Sequence, residues 1–481
     1  MRVLLLTNNV RSVFDALDER LEWFLNVLDD TVTGAAADFV ALHLQELSGQ
    51  TDGSQETGGV EPMRFSEAMR ARFPDYWSSG IICSTVSDRD FTALACLVLV
   101  RRSVAKDVAV FDFGADPMGG WRTVAALADP LVPDPSLPRR WARHSCFPHQ
   151  LLDSLGGERN GRGWLHTRWR VAGQPLELLN VHLSDDANHL LALRRDTPTS
   201  SYARSRHEAL QHALDSLTAA GPAPAALGPR PSALCVFGAL NFQLDVHCVL
   251  TQLAGEREVA RALAAAAAPD SAVHVALPPL PLPGSAATRR ATAAPASVDS
   301  SSSGPLGACW LAPCRCLASL TPGPPREASV DAERFVIDDA AAIFGGGPSA
   351  AIRACDLELA ACRDLAPALS ELEVAFPPTS PYLQGAASSA ARPAYSSYHC
   401  PSWSDRVLLD AVGVRLMRAA GDVVYGAHEQ EVIVNDHSMV HLAFTLGPGV
   451  AQGLHEIPVR VQADAAAPVP LKVKCVAVGA G

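Results

Sequence analysis

Five short runs dominated by apolar residues set the terms on which this chain can fold: VLLLT at 3–7, FVALHLQ at 39–45, ALACLVLV at 93–100, LELLNVHL at 176–183 and ALCVFGA at 233–239. Their apolar residues fall on consecutive positions, so each reads as a strand covered on both faces and not as one face of a solvated sheet. Such strands need a layer above and a layer below. The segment 204–219 supplies cover, because Leu210, Leu214 and Leu217 fall on one helical stripe with Arg, His, Glu and Gln elsewhere. A second helix is expected around 355–372, followed by strands in DRVLLDAV and VHLAFTL. Strands with helices outside them predict a layered α/β domain.

Composition marks where that domain is interrupted. Residues 262–330 are dominated by Ala, Pro, Ser and Gly, which cannot repeat an apolar face, and predict a disordered insertion. It would divide one domain into 1–261 and 331–447, leaving 448–481 as a tail; 219–232 reads as a loop. The net charge of −12 argues against a nucleic-acid backbone as partner but leaves room for a small anion in a local basic pocket. The opening MRVLLLTNNV is too short in its apolar run for a signal peptide or a membrane span, which predicts a cytoplasmic protein with at most transient membrane contact. On that basis the 12 cysteines are expected as thiols and not as a disulfide framework. Cys309, Cys314 and Cys316 have no nearby His or second Cys pair, so they are not read as a zinc site.

The polar residues that end the apolar runs carry the chemistry. Asn9 follows the first, Glu46 the second, Asn180 and His182 end the fourth, and Asn241 lies beyond the fifth. Singly, Asn9 could cap a turn, Glu46 could be solvated and His182 could be a core histidine. Together they can meet at one rim of a sheet. HCPSWSDRVLL places Asp405 and Arg406 at the start of a strand, and VIVNDHSMVHLAF places Asp436 and His437 between two. An acid beside a His can orient the ring or hold it cationic against a phosphate, while Asn and Glu offer hard oxygens to Mg²⁺. These residue types suit metal-assisted phosphoester hydrolysis.

In the order LLLTNNVRSVFD, ALHLQEL, FTAL, GRGWLHTRW, LLNVHLSDDANHL, SYARSRHEAL, VFGALNFQLD, FPPTSPY, CPSWSDRVLL and NDHSMVHLAF, the chain resembles the type I inositol polyphosphate 5-phosphatases of the endonuclease/exonuclease/phosphatase superfamily. The resemblance covers about 3–446 apart from the insertion. It implies a four-layer α/β sandwich of two packed sheets, and Mg²⁺ held by Glu46 with help from Asn9. It further implies that His182 and Asn241 contact the scissile phosphate, that His437 is oriented by Asp405, and that Asp436 stands near the metal. Arg162, Arg168 and Arg406 become candidates for contacts to substrate phosphates, with surface ion pairs as the alternative. The implied substrate is a soluble inositol polyphosphate such as inositol 1,4,5-trisphosphate, with the 1,3,4,5-tetrakisphosphate as a further one.

The chain departs from the family where phosphate is handled. The family's GDxNxR ends this strand with an Asp that positions or deprotonates water, whereas here Ala239 stands in that place and Gln243 replaces the Arg. DHKPV appears as Asp436-His437-Ser438-Met439-Val440. Two functions therefore stay open: hydrolysis of the 5-phosphate, and a pseudophosphatase that binds inositol phosphates without turnover. A nuclease of the same superfamily fits the acidic balance and the SDDANHL segment less well. The family's prenylation signal is not met, since Cys475 is followed by six residues.

Overall fold

A computed structural model describes residues 1–14, 16–47, 60–83, 93–115, 120–128, 140–152, 162–194, 200–219, 232–266, 268, 270–279, 326–389, 391–429 and 434–447. The strands in chain order are β1 Arg2–Asn9, β2 Phe39–Gln45, β3 Tyr76–Cys83, β4 Leu94–Arg101, β5 Val108–Asp112 and β6 Gly120–Thr123. Next come β7 Arg143–Cys146, β8 Gly163–Val171, β9 Gln174–His182, β10 Ala233–Ala239, β11 Val273–Leu277 and β12 Arg326–Val330. The last five are β13 Phe335–Ile337, β14 Ser370–Glu371, β15 Asp405–Leu409, β16 Gly421–Ala427 and β17 Val440–Thr445.

They form two large mixed sheets, ordered β16-β17-β1-β2-β4-β3 and β14-β15-β10-β9-β8-β5-β6 with β7 on β8. The period-2 alternation of a strand explains the layering. In β1 and β2, Val3, Leu5, Phe39 and Ala41 enter the core between the sheets, while Leu4, Leu6, Val40 and Leu42 pack outward with Phe24, Leu28 and Phe65. Phe24 and Leu28 belong to the helix Leu17–Gly34, and Phe65 to the helix Val60–Arg72. On the far side, Leu179, Val181 and Val236 pack against Leu210, Leu214 and Leu217 of the helix Ser201–Ala219. The result is helix, sheet, sheet, helix: the four-layer sandwich that the two-sided strands require.

Polar clamps join the sheets at one end. Asn180 donates to the carbonyls of Leu44 and Ala95 at 3.1 and 2.9 Å and accepts from Gln45 at 2.8 Å. His43 stacks on Phe237 at 3.6 Å, and burial drives its pKa down to about 3, so it is a neutral packing group. The glycine in VFGAL has a steric reason, since a Cβ at Gly238 would collide with the Val181 carbonyl of β9.

Three expectations change. The segment from 262 to 330 begins and ends in pairing structure: β11 pairs antiparallel with β12, and β12 with β13. Val273, Val275 and Leu277 are buried there, and residues 280–325 lie outside the described residues. The helix expected over 355–372 is one turn, Leu357–Ala361, and a tighter turn at Cys362–Asp364. Pro367 lacks the N–H that a longer helix would need. Cys248 and Cys355, 107 residues apart with Cα atoms separated by 5.4 Å, form a disulfide, while Cys96, Cys235, Cys362 and Cys400 are free. Cys309, Cys314, Cys316, most of the 219–232 loop and the whole 448–481 tail fall outside the described residues. Among the described residues, no helix is long and apolar enough to cross a membrane.

Candidate functional site

The parallel register of β1 with β2 sets Asn9 beside Gln45, so the next residue, Glu46, turns off the sheet next to Asn9. Glu46 takes a left-handed backbone, φ 55°, and Asn241 does the same at φ 51° just past β10. Such a conformation is uncommon outside glycine, and for Glu it is held only by its surroundings. Asn9 Nδ2 donates to Glu46 Oε1 at 2.9 Å, and its Oδ1 accepts from the Arg11 amide at 3.1 Å. Asn435 donates to the Asn9 carbonyl at 2.8 Å and to Asn8 Oδ1 at 3.1 Å, fixing the strand end from behind.

The second sheet faces this corner. His182 is fully buried at the end of β9, with Nε2 3.4 Å from Glu46 Oε1. The Arg162 guanidinium lies against the His182 ring, 3.4 Å from Glu46 Oε1 and 2.9 Å from Asp185. Burial, followed by the Arg162 charge, lowers the His182 pKa, so the ring is neutral at pH 7. Burial alone would raise the Glu46 pKa, but the His182 hydrogen bond, the Arg162 charge and the Asn9 amide outweigh it and keep the carboxylate ionised.

Across the corner, His437 Nδ1 meets Asp405 Oδ2 at 2.7 Å, and Thr379 Oγ1 donates to the same oxygen at 3.0 Å. Burial opposes a charge on His437, yet Asp405, Asp436 and Glu46 raise its pKa to about 10. The ring is a cation at neutral pH, and the chief cause is Asp405 from the other sheet. Asn241 donates from Nδ2 to the Leu183 carbonyl at 2.8 Å, tying the end of β10 to that of β9.

Thus Asn9, Glu46, Arg162, His182, Asn241, Asp405, Asp436 and His437 come from both sheets to one corner. Two arginines do not join them. Arg406 is buried between Asp356 at 2.7 Å and Glu371 at 2.8 Å, an internal ion pair in place of the substrate contact expected of it. Arg168 pairs with Glu177, five register positions from the Gly163–His182 pair, or roughly 17 Å along the strand. A lone Arg in a motif gives no sign of a buried carboxylate partner distant in sequence. Asn435 and Thr379, which brace Asn9 and Asp405, had no signal beyond their motifs.

Ala239 occupies the position between the two halves: it is paired in register with His182 on one side and Asp405 on the other, and is fully buried. Asp405 Oδ1 is also buried without a hydrogen-bond partner. Gln243 faces elsewhere than expected, lining a cavity with Asp186, Arg206, Asp245 and Glu358. Arg206 there is paired with Asp186 and Glu358, both at 2.6 Å.

Glu46 tests whether the donors fit a hard cation. Its Oε2 is buried without a hydrogen-bond partner, as expected of an oxygen reserved for a metal. Among the described residues no group of three or more His, Cys, Asp or Glu surrounds one point, and a single carboxylate suits Mg²⁺, which keeps several of its waters.

No protein-family model matches the sequence. Inositol polyphosphate-5-phosphatase A of Homo sapiens is 26% identical over 465 residues, covering 94% of this chain and 94% of that protein. The probable type I inositol 1,4,5-trisphosphate 5-phosphatase of Caenorhabditis elegans is 27% identical over 257 residues, 53% of this chain and 58% of that one. The inositol polyphosphate 5-phosphatase domain of a synaptojanin, solved with inositol (1,4)-bisphosphate and calcium ion, aligns over 94% of this chain and 88% of its own at 10% identity and a TM-score of 0.40, which carries no weight in the assignment. The match to the human protein extends over nearly the whole of both chains, and it makes this chain similar to the inositol polyphosphate 5-phosphatases along its length.

Proposed function

We propose that this chain removes the 5-phosphate of soluble inositol polyphosphates, inositol 1,4,5-trisphosphate above all, with Mg²⁺ held by Glu46 and Asn9. The observation that carries the proposal is the buried Glu46 Oε2, which makes no hydrogen bond and has only the Arg11 guanidinium at 3.9 Å, beside His182 and opposite a cationic His437. Bound there, Mg²⁺ would polarise the phosphoryl oxygens.

The chain's own side chains would do the rest. His437, kept charged by Asp405, stabilises negative charge as it grows on the phosphoryl oxygens, a preorganised cation that needs no reorientation. Neutral His182 can donate one hydrogen bond to the phosphate without adding a second full charge beside Arg162. Asn241 fixes the distance between the two strand ends through Leu183. Asp436 adds negative charge that keeps His437 protonated. What is missing is a carboxylate at 239 to position water, a role typically worth about 10²- to 10⁴-fold.

That gap favours a second reading, a protein that binds inositol phosphates with little or no turnover. One experiment separates the two: phosphate release from inositol 1,4,5-trisphosphate with and without Mg²⁺, beside calorimetric binding of the same compound. Mg²⁺-dependent release supports the enzyme, and binding without release supports the second reading. Neither binding nor release would overturn both.

A further inference from the structure

The outer face of the second sheet changes character halfway along β8 and β9. Trp164, Leu179 and Val181 on this face are packed in the outer core, but the next positions on it are His166, Arg168 and Glu177. Glu177 accepts from His166 Nε2 at 3.1 Å and from Arg168 Nη2 at 3.2 Å. A second guanidinium joins them from β7: those of Arg143 and Arg168 both lie over the Phe113 ring, at 4.9 and 5.8 Å, and Arg168 also lies over Phe111 at 5.8 Å.

One carboxylate therefore faces two guanidiniums and an imidazole. The donors exceed the acceptors as well. Arg143 Nη1 and Arg168 Nε and Nη1 are all buried and have no hydrogen-bond partner, and Arg168 is only 4% exposed. Native proteins rarely leave several buried donors unmet in one place, and each unmet donor is costly. The Arg143 pKa is lowered by burial and then by the Arg168 charge, the effect of cations brought together without enough counter-charge. All this occurs in a chain of net charge −12. The missing component is an anion with several acceptor oxygens, which two planar guanidiniums can bind through paired hydrogen bonds.

We propose that Arg143 and Arg168, beside His166, form a second anion site, separate from the Glu46–His437 corner, that takes a phosphate group carried by either a soluble inositol phosphate or a lipid headgroup. Equilibrium dialysis of the full chain against labelled inorganic phosphate tests it. Arg143→Gln should weaken one phosphate-binding event by about tenfold or more, the loss of a charge-assisted contact, while His437→Ala leaves that event intact. If the corner binds no phosphate, the parent should show a single event that is still lost in Arg143→Gln. Unchanged phosphate binding in a folded Arg143→Gln protein overturns the site. Should that variant fail to fold, the parent decides: the His166 ring resonances must shift on titration with phosphate, and their constancy overturns the site equally. Flotation with phosphatidylcholine vesicles containing phosphatidylinositol 4,5-bisphosphate separates the sources. Vesicle binding lost in Arg143→Gln assigns a lipid headgroup, and dialysis binding without flotation assigns a soluble phosphate.

Discussion

Replacing Ala239 with aspartate puts a carboxylate in the gap between His182 and Asp405, its register partners on either side. If it positions water as proposed, phosphate release should rise about 10²- to 10⁴-fold, equivalent to roughly 3–5.5 kcal/mol of the barrier. The stability cost follows from the same register. Directly opposite Cβ atoms are about 5 Å apart, and two carboxylates at that distance repel by roughly 3 kcal/mol at an effective dielectric of about 20. The cationic His437, bonded to Asp405, offsets part of this. Because position 239 is fully buried, desolvation adds to the cost, for a net loss of about 1–3 kcal/mol. A chain of this size should then melt roughly 1–4 °C lower. The assay is phosphate release from inositol 1,4,5-trisphosphate at pH 7 with Mg²⁺, with a thermal melt run in parallel. A variant that folds, responds to Mg²⁺ and releases phosphate no faster than the parent would refute the reasoning and leave the binding function as the better account.

Glu46→Gln should abolish stabilisation by Mg²⁺ in a thermal melt while the chain stays folded, because an amide is a weaker ligand for a hard dication; an unchanged Mg²⁺ response removes Glu46 from the site. The His437 pKa, raised to about 10 from about 6.5 in an unfolded chain, makes the His437–Asp405 contribution complete below pH 6.5, declining as pH rises and gone above about pH 10. Urea melts at pH 7, 8.5 and 10 should therefore show the parent losing its advantage over Asp405→Asn with rising pH, and parallel curves would contradict this. Gln243→Arg should raise Tm without changing catalysis, since its cavity holds Asp186, Glu358 and Asp245 against Arg206 alone; a rate gain without a Tm gain would return position 243 to the phosphate side. Removing 265–328 takes away β11 and most of β12, with Val273, Val275 and Leu277 each worth about 1.5–3 kcal/mol on burial, and should lower Tm markedly, whereas an unchanged melt would mean that this small sheet is dispensable.

The layers were legible because strands buried on both faces leave an unbroken apolar run, and β1, β2, β4, β9 and β10 all do so. Which polar residues gather at the corner was legible for a related reason: a side chain at the end of such a run has nowhere to go but the rim. The fates of Arg168 and Arg406 were not, because a guanidinium facing a ligand and one facing Glu177 or Glu371 have the same local sequence. The expectations of a helix beyond 364 and of thiols at Cys248 and Cys355 failed in different ways, one to a proline and the other to proximity across 107 residues. In β11 and β12 a low-complexity neighbourhood hid an alternation visible only once the strands are paired.

The first sheet closes on its own ends: β1 lies between β2 and β17, with Thr7 beside Val440. During synthesis at about 5–20 residues per second, the first strand would wait on the order of 20–90 s for its far neighbour to leave the ribosome. Until then one edge of β1 offers free N–H and C=O groups to any passing strand. Asp436 and His437 lie just before β17, so the corner cannot assemble until that segment has been made, and a nascent chain that stalls before it would be prone to aggregation and without its site.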